Sequence, residues 1–573
     1  MDNLLQAWPV AKAVEAITEW LTVHLGPFFQ LIQKIGQSVM DFISQALLIV
    51  PIPVWIILLT GIAWWITNRK YGLASFTLLG LVFIWNQGLW EALVQTTTLV
   101  LVASVLSILI GVPLGICMAK SSKLQKILLP ILDFMQTMPG FVYLIPAVAF
   151  FGIGMVPGVF ASIIFALPPT VRFTHLGIKQ IPTELVEASD SFGGTPWQKL
   201  FKLELPLAKK TILAGVNQTT MLALSMVVTA SMIGAPGLGR GVLAALQKAD
   251  IGSGFVNGLS LVILAIIIDR FIQYTNQEKQ VVTDKAARRK KMAAIITAVV
   301  LLLGIGVGVK QAIQPEKNKG TVRLAYVQWD TEIASTNVVA EVLKQQGYKV
   351  EITPLDNAVM WEAVANNRAD AMVAAWLPNT HASQYKKYKN QLVDLGANLK
   401  GAKVGLVVPS YMDVDSIADL TDQADQKITG IEPGAGVVAG AQKTVKAYPN
   451  LQNWQVETSS SGAMVVALDK AIKNKQPIVI TGWSPHWMFA KYDLKYLADP
   501  KKTMGSEEAI HTMTRKDLAK DMPEVNRILD QFNWSTKDME SVMLAIQKGK
   551  SPEQAAKDWI KANQKQVANW VKK

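Results

Sequence analysis

Eight stretches of about 20 apolar residues crowd the first 312 positions of this 573-residue chain, each long enough to cross the hydrocarbon core of a bilayer as a helix. They run over roughly 46 to 67, 71 to 87, 93 to 119, 131 to 153, 157 to 176, 211 to 233, 255 to 274 and 292 to 310. A backbone without water must satisfy its hydrogen bonds internally, so an α-helical polytopic membrane domain of about eight spans is predicted. Beyond residue 320 the apolar runs shorten and Lys, Asp, Asn and Gln become frequent, as in an ordinary soluble domain. The expected organisation is an amphipathic segment over 1–45, a membrane domain over 46–274, a basic linker over 275–291, a last span and linker over 292–319, and an aqueous domain over 320–573.

The formal charge of +13 raises nucleic acid as a partner, since basic proteins bind it by releasing phosphate counterions. The positive residues instead cluster between apolar runs, at Arg69-Lys70, Lys120 to Lys126, Lys179 to Lys210 and Lys279 to Lys291. These are alternate loops, as the positive-inside rule requires of cytoplasmic ones, so no nucleic acid partner is expected and the aqueous domain should lie outside the cell. The run Lys285 to Lys291 fits either a topology anchor or attraction to anionic lipid that salt would screen. Phe28 to Leu48 reads as an amphipathic helix along the outer interface, with a short re-entrant segment as the alternative. No cleavable signal peptide is apparent before the first run. The single cysteine, Cys117, rules out an intrachain disulfide and a Cys-based metal site; it is expected to be a small packing residue.

The longest cytoplasmic loop, over 182–210, reads IPTELVEASDSFGGTPWQKLFKLELPLAKK. Pro182 suits the first turn of a helix, Gly193-Gly194 ends it, and Thr195-Pro196 starts a second that should stop before Pro206. Glu187-Ala188-Ser189, then Gly193, then Leu203-Glu204-Leu205-Pro206 resemble the EAA loop of ABC importer permeases, with Ser for the second alanine. The resemblance implies that Glu187, Ala188, Gly193 and Pro206 couple to a separate ATPase subunit carrying ATP and Mg, and that two copies of this chain form the pore. No G-x-x-x-x-G-K-[ST] phosphate loop occurs in the sequence, so this chain is not expected to be an enzyme, nor to carry catalytic residues, a metal or a cofactor. GAPGLGRG at Gly234 to Gly241 reads as a turn between spans.

From Thr321, strand-like TVRLAYV, helical ASTNVVAEVLKQQG and strand-like YKVEITPL form a βαβ pattern that recurs in KITGIEP, VVAGAQKTVKAYP and WQVETSS. AAWLP around Trp376 matches TGWSP around Trp483 at an offset of 107, which also carries Trp329 onto Gly436. Ligands of open α/β sheets bind beyond the carboxyl ends of strands, so these four loops should face one another across a cleft. A lone tryptophan is ordinarily a packing residue; three at equivalent strand ends suggest indole faces around a methylated cation, at about 0.5–2 kcal/mol per face. An ammonium bearing N–H groups would be left with unmade hydrogen bonds there. Gly434-Ala435-Gly436-Val437 opens a helix whose bare N–H groups suit a carboxylate. His381 could reach the same anion, with His486 a weaker rival. Cage and anion site together describe a small zwitterion.

YVQWDTEIAST, AAWLPNTH, GIEPGAGV and TGWSPHWMF resemble the glycine betaine binding proteins of the OpuA type, and the whole chain resembles the fused permease and receptor subunit of that osmoprotectant transporter. The resemblance implies a two-lobed receptor of the type II periplasmic-binding-protein kind, circularly permuted relative to some relatives. It implies a quaternary-ammonium prism of Trp329, Trp376 and Trp483, a carboxylate held by the amides of Gly436 and Val437 with His381, a bacterial plasma membrane location and osmotic control. Proline betaine and carnitine share the quaternary nitrogen and carboxylate. A membrane chemosensor for methylated amines, without transport, is the alternative; eight spans and an EAA-like loop speak against it.

Overall fold

The computed structural model describes residues 10–67, 69–248, 250–276 and 319–572. The chain forms two compact units, one helical and one α/β. The expected span over 292–310 and the basic run Lys285 to Lys291 lie outside the described residues.

In the helical unit four helices are long and apolar enough to cross a membrane: Trp90–Lys120, Met155–Lys179, Pro196–Ser231 and Ile251–Tyr274. Two further candidates are bent pairs, Gly26–Ile49 with Ile52–Ile66 at 92° and Ser122–Thr137 with Gly140–Phe151 at 103°. Tyr71–Asn86 is apolar but short. The described residues therefore hold four to six spans where seven were expected. The expected span over 131 to 153 breaks at Met138-Pro139, because proline drives its predecessor out of the helical region; Pro51 and Pro53 flank the other corner. Neither break lowers hydropathy. Phe28 to Leu48 is continuous helix within Gly26–Ile49.

Small residues bring the long helices together, as they must where lipid gives no hydrophobic drive between helices. A Cβ at Gly115 would lie 2.5 Å from Thr174 Cβ, and one at Gly215 would lie 2.6 Å from Phe173 Cβ. Thr219 bonds the Ala166 carbonyl at 2.8 Å and the Thr170 hydroxyl at 2.7 Å, beside the paired prolines Pro168 and Pro169. Cys117 is exposed, contrary to its expected packing role.

The EAA-like loop forms a helix Thr183–Ser191, a turn with Gly193 at φ +70°, and a capping box in which Thr195 and Gln198 satisfy each other's backbone N–H groups. Pro182 is the N-cap rather than a first-turn residue. The second helix does not stop before Pro206. It widens into a π-helical stretch, Lys199–Glu204, and continues as Leu205–Ser231. The extra residue per turn puts Pro206 in a fresh first turn, where a missing N–H costs nothing. Lys199 ties back to Asp190 at 2.7 Å, and buried Glu204 takes both its bonds from Lys120, at 2.5 and 2.6 Å.

The α/β unit is built on strands β1 (Thr321–Tyr326), β2 (Lys349–Pro354), β3 (Ala371–Leu377), β4 (Leu392–Pro409), β5 (Lys427–Thr429), β6 (Gln455–Glu457), β7 (Val479–Ser484), β8 (Leu494–Tyr496) and β9 (Glu508–Arg515). They order as β2-β1-β3-β9-β4-β7-β5-β6, with β8 on β4. β1 is parallel to β2 and β3, and β5 is parallel to β6 and β7, so the two expected βαβ units are present. β4 joins them: its first part pairs with β9, and Lys403 to Val407 pair with β7. Two lobes thus share one long strand. Phe532, Trp534, Trp559 and Trp570 cluster among the C-terminal helices that follow β9.

Candidate functional site

Each lobe sends two loops from its strand ends into the cleft. After β1, Trp329 caps the helix Asp330–Gln345; after β5, Ala435 caps the helix Gly436–Ala447. Trp376 lies near the end of β3 and Trp483 near the end of β7, and both are followed by a cis X-Pro bond, Leu377-Pro378 and Ser484-Pro485.

Trp329, Trp376, Trp483, Gly436 and Val437 line one hollow of about 330 Å³, its open mouth included. The other walls are Thr331, Thr380, Val404, Ile431 and Ala435. The three indoles are buried, so a guest there meets aromatic side chains rather than bulk water. A Cβ on Gly436 would strike the Thr380 carbonyl of the opposite lobe, which gives a reason for glycine independent of ligand binding. Val437 is the second residue of the helix, where N–H groups have no intrahelical acceptor.

His381 is fully buried behind the hollow rather than on its wall. Its ring stacks on Trp329 at 6.2 Å and meets Trp361 edge-on at 5.7 Å. Burial pushes its pKa down to about 3, so the ring is neutral at physiological pH. Nδ1 accepts from the Trp376 N–H at 3.1 Å; the proton therefore resides on Nε2, a buried atom without a protein partner. His486 is also off the wall. It packs edge-on against Trp483 at 4.7 Å, accepts the Met488 N–H through Nδ1, and holds Nε2 3.3 Å from Asp330 Oδ2.

Several carboxylates that sequence spacing did not single out organise the loops. Glu508 accepts from the N–H groups of Asn379 and Thr380, at 2.6 and 2.7 Å, and from the Thr380 hydroxyl. Buried Glu332 accepts from Val327 N–H at 2.7 Å, its pKa raised well above the carboxylate range by burial. Glu432 accepts from the Trp329 indole at 3.1 Å. Asp356, near enough to feel the charge of Glu432, has its pKa pushed up to about 6 by burial and then by that charge. Among the described residues no cluster of His, Cys, Asp or Glu could hold a metal ion.

In the helical unit, the aromatic residues around the EAA-like motif are the exposed ones: Phe192 is 92% exposed and Trp197 71%. Trp197 stacks on Phe201 at 5.5 Å. The sequence reading passed over this apolar surface because it weighed the motif's polar and glycine positions.

An α/β unit of two lobes with an aromatic-walled cleft, on one chain with a helical unit of several apolar spans, is the domain pair of binding-protein-dependent transporters, and two family matches assign the chain to that class. Residues 320–562 match the family described as the substrate binding domain of ABC-type glycine betaine transport systems. Residues 111–280 match the family described as the binding-protein-dependent transport system inner membrane component. The first half is 55% identical over 272 residues to the glycine betaine/carnitine transport permease protein GbuB of Listeria monocytogenes, covering 47% of this chain and 96% of that one. It is 47% identical over 280 residues to the glycine betaine transport system permease protein OpuAB of Bacillus subtilis, covering 49% and 98%. The second half is 61% identical to lactococcal OpuAC, whose crystal structure is closed and complexed with glycine betaine, covering 44% of this chain and all of that one at a TM-score of 0.44. The chain belongs to the glycine betaine ABC transporter family and carries its permease and substrate-binding domains on one polypeptide.

Proposed function

We propose that the chain is the transmembrane and receptor subunit of an ATP-driven importer that takes up glycine betaine or a related quaternary-ammonium solute for osmoprotection. The observation that carries the reading is the meeting of three indoles, from both lobes, with the helix start at Gly436 and Val437 in one hollow. Indole faces attract a cation whose methyl groups ask for no hydrogen bonds, and the helix start favours the carboxylate. The buried Nε2–H of neutral His381, without a protein partner, supports a donor role toward the same carboxylate, from behind Trp329 and Trp376 rather than from the wall itself. His486, engaged with Asp330 and the Met488 amide, is the weaker partner.

The receptor domain faces the outside of the cell, a consequence of the basic loops lying inside. Two copies form the pore, and each docks a separate ATPase subunit, which supplies ATP and Mg. The docking knob is the motif Glu187, Ala188, Gly193 and Pro206, together with exposed Phe192, Trp197 and Phe201. Tethering the receptor to its own pore raises its effective concentration there. The test is binding of glycine betaine to the full chain: Trp376→Ala should abolish it at ligand concentrations that saturate the parent. Unchanged affinity would remove the cage. Uptake by vesicles given ATP and the partner subunit, without ion gradients, separates pumping from sensing.

A further inference from the structure

The residues Trp329 and Asp330 do more than wall and flank the hollow. Both follow β1 in one lobe, yet each has a hydrogen-bond partner in the other. The Trp329 indole donates to Glu432 Oε2 at 3.1 Å. Glu432 lies beyond β5, and its other oxygen accepts from the Ser461 N–H at 3.0 Å, at the start of the helix Ser461–Lys473. Asp330 Oδ2 in turn accepts from the Trp487 indole at 2.9 Å, in the loop beyond β7, with His486 Nε2 3.3 Å away. Trp329 and Trp487 are 8% and 5% exposed, so each indole N–H needs a protein acceptor when the lobes meet.

We infer that Trp329 and Asp330 form a two-bond latch, with Glu432 and Trp487 as its keepers, that holds the receptor lobes closed and sets the rate at which solute is released. This rests on the solute reading above but adds three residues outside the cage, Asp330, Glu432 and Trp487. Both bonds cross the cleft in opposite donor directions, so neither survives opening. Both have a carboxylate acceptor, the stronger class of hydrogen bond. The latch and the cage share one side chain: Glu432 fixes the plane of the ring against whose face the solute rests. It also places negative charge at the indole N–H, which polarises the ring toward a more negative face. Capture occurs while the lobes are apart and the bonds unmade, so the latch acts on escape.

The experiment is stopped-flow indole fluorescence on the full chain in nanodiscs with glycine betaine. Trp487→Phe removes one donor while keeping an aromatic ring outside the cage, and Glu432→Gln weakens the other bond by facing an amide NH₂ toward a donor. Trp487→Phe should release solute about tenfold faster, with capture changed less than twofold; Glu432→Gln, which also loosens the Trp329 ring, should release it at least about tenfold faster, and the double variant should approach a hundredfold. Release rates at the parent value in both variants overturn the latch. If the parent chain binds no glycine betaine, the solute reading fails and the latch is judged by lobe separation. Spin labels then replace exposed Lys389 and Lys446, with Cys117 changed to alanine. A longer separation in Trp487→Phe supports the latch, and an unchanged one overturns it.

Discussion

Replacing Trp376 by leucine separates cation recognition from packing. Trp376 is 4% exposed and is one of three indoles on the hollow. Any truncation there loses packing as well as the ring's quadrupole, so a drop in affinity for betaine alone proves little. A cycle with a second ligand removes the ambiguity: 3,3-dimethylbutanoate has the shape of glycine betaine with a neutral carbon in place of the ammonium nitrogen. Each indole face is worth about 0.5–2 kcal/mol to a cation. Three faces therefore give the parent a preference for betaine of roughly 10- to 10⁴-fold over the isostere. Losing one face should shrink that preference by about 2- to 30-fold, while the packing loss, common to both ligands, cancels. Isothermal titration of the full chain with both ligands provides the four affinities. A preference ratio equal in parent and variant would refute the electrostatic account of the cage, however much the separate affinities fall.

His381→Ala should weaken glycine betaine by about tenfold, the loss of one hydrogen bond to a charged acceptor, and leave choline, which lacks the carboxylate, unchanged in equilibrium binding. Because burial holds this imidazole near a pKa of about 3, the affinity lost in His381→Ala should be the same at pH 8 and at pH 5. The folded state rejects a proton that the unfolded chain accepts near pH 6.5, so the stability this ring confers is complete above that pH and declines as pH falls toward 3, which thermal melts will register. Asp356 has the opposite sign: its pKa is raised to about 6, so its ionisation destabilises the receptor as pH rises from about 4 to 6. Asp356→Asn should then melt higher than the parent at pH 7, by at most about 3 kcal/mol, and equal it below pH 4. Lys120→Met strands the buried carboxylate of Glu204, and under the proposed ATP-driven mechanism uptake should fall. The double change Lys120→Met with Glu204→Met should restore folding but not the ATP hydrolysed per solute moved, if the pair is the strut between knob and span.

That Trp329, Trp376, Trp483 and Gly436 line one hollow was legible because duplication leaves a trace: a single offset of 107 carries Trp376 onto Trp483 and Trp329 onto Gly436, and both copies keep their strand-end geometry. β4 was not, because an 18-residue strand that serves two lobes cannot keep a simple alternation. Gly396 and Gly401 take φ of +96° and +81° within it, and the pairing with β9 slips at three places. Hydropathy failed at Pro139 for a related reason, whereas the corner at Pro51 falls where the helix Phe28 to Leu48 was expected to give way to the first span. Proline and glycine are apolar enough to extend a run, yet they fix where the backbone turns, so a window that sums transfer energies sees one span in place of a corner. The carboxylates of the cleft escaped on other grounds. Glu432 is 103 positions from Trp329 and Trp487 is 157 from Asp330, neither the repeat offset nor a local spacing. A hydrogen bond made only when two lobes close has no periodicity to betray it, whereas a ring on a strand end does. The indoles of the hollow are therefore written in the repeated strand ends, and the hydrogen bonds between lobes in side chains that break the repeat.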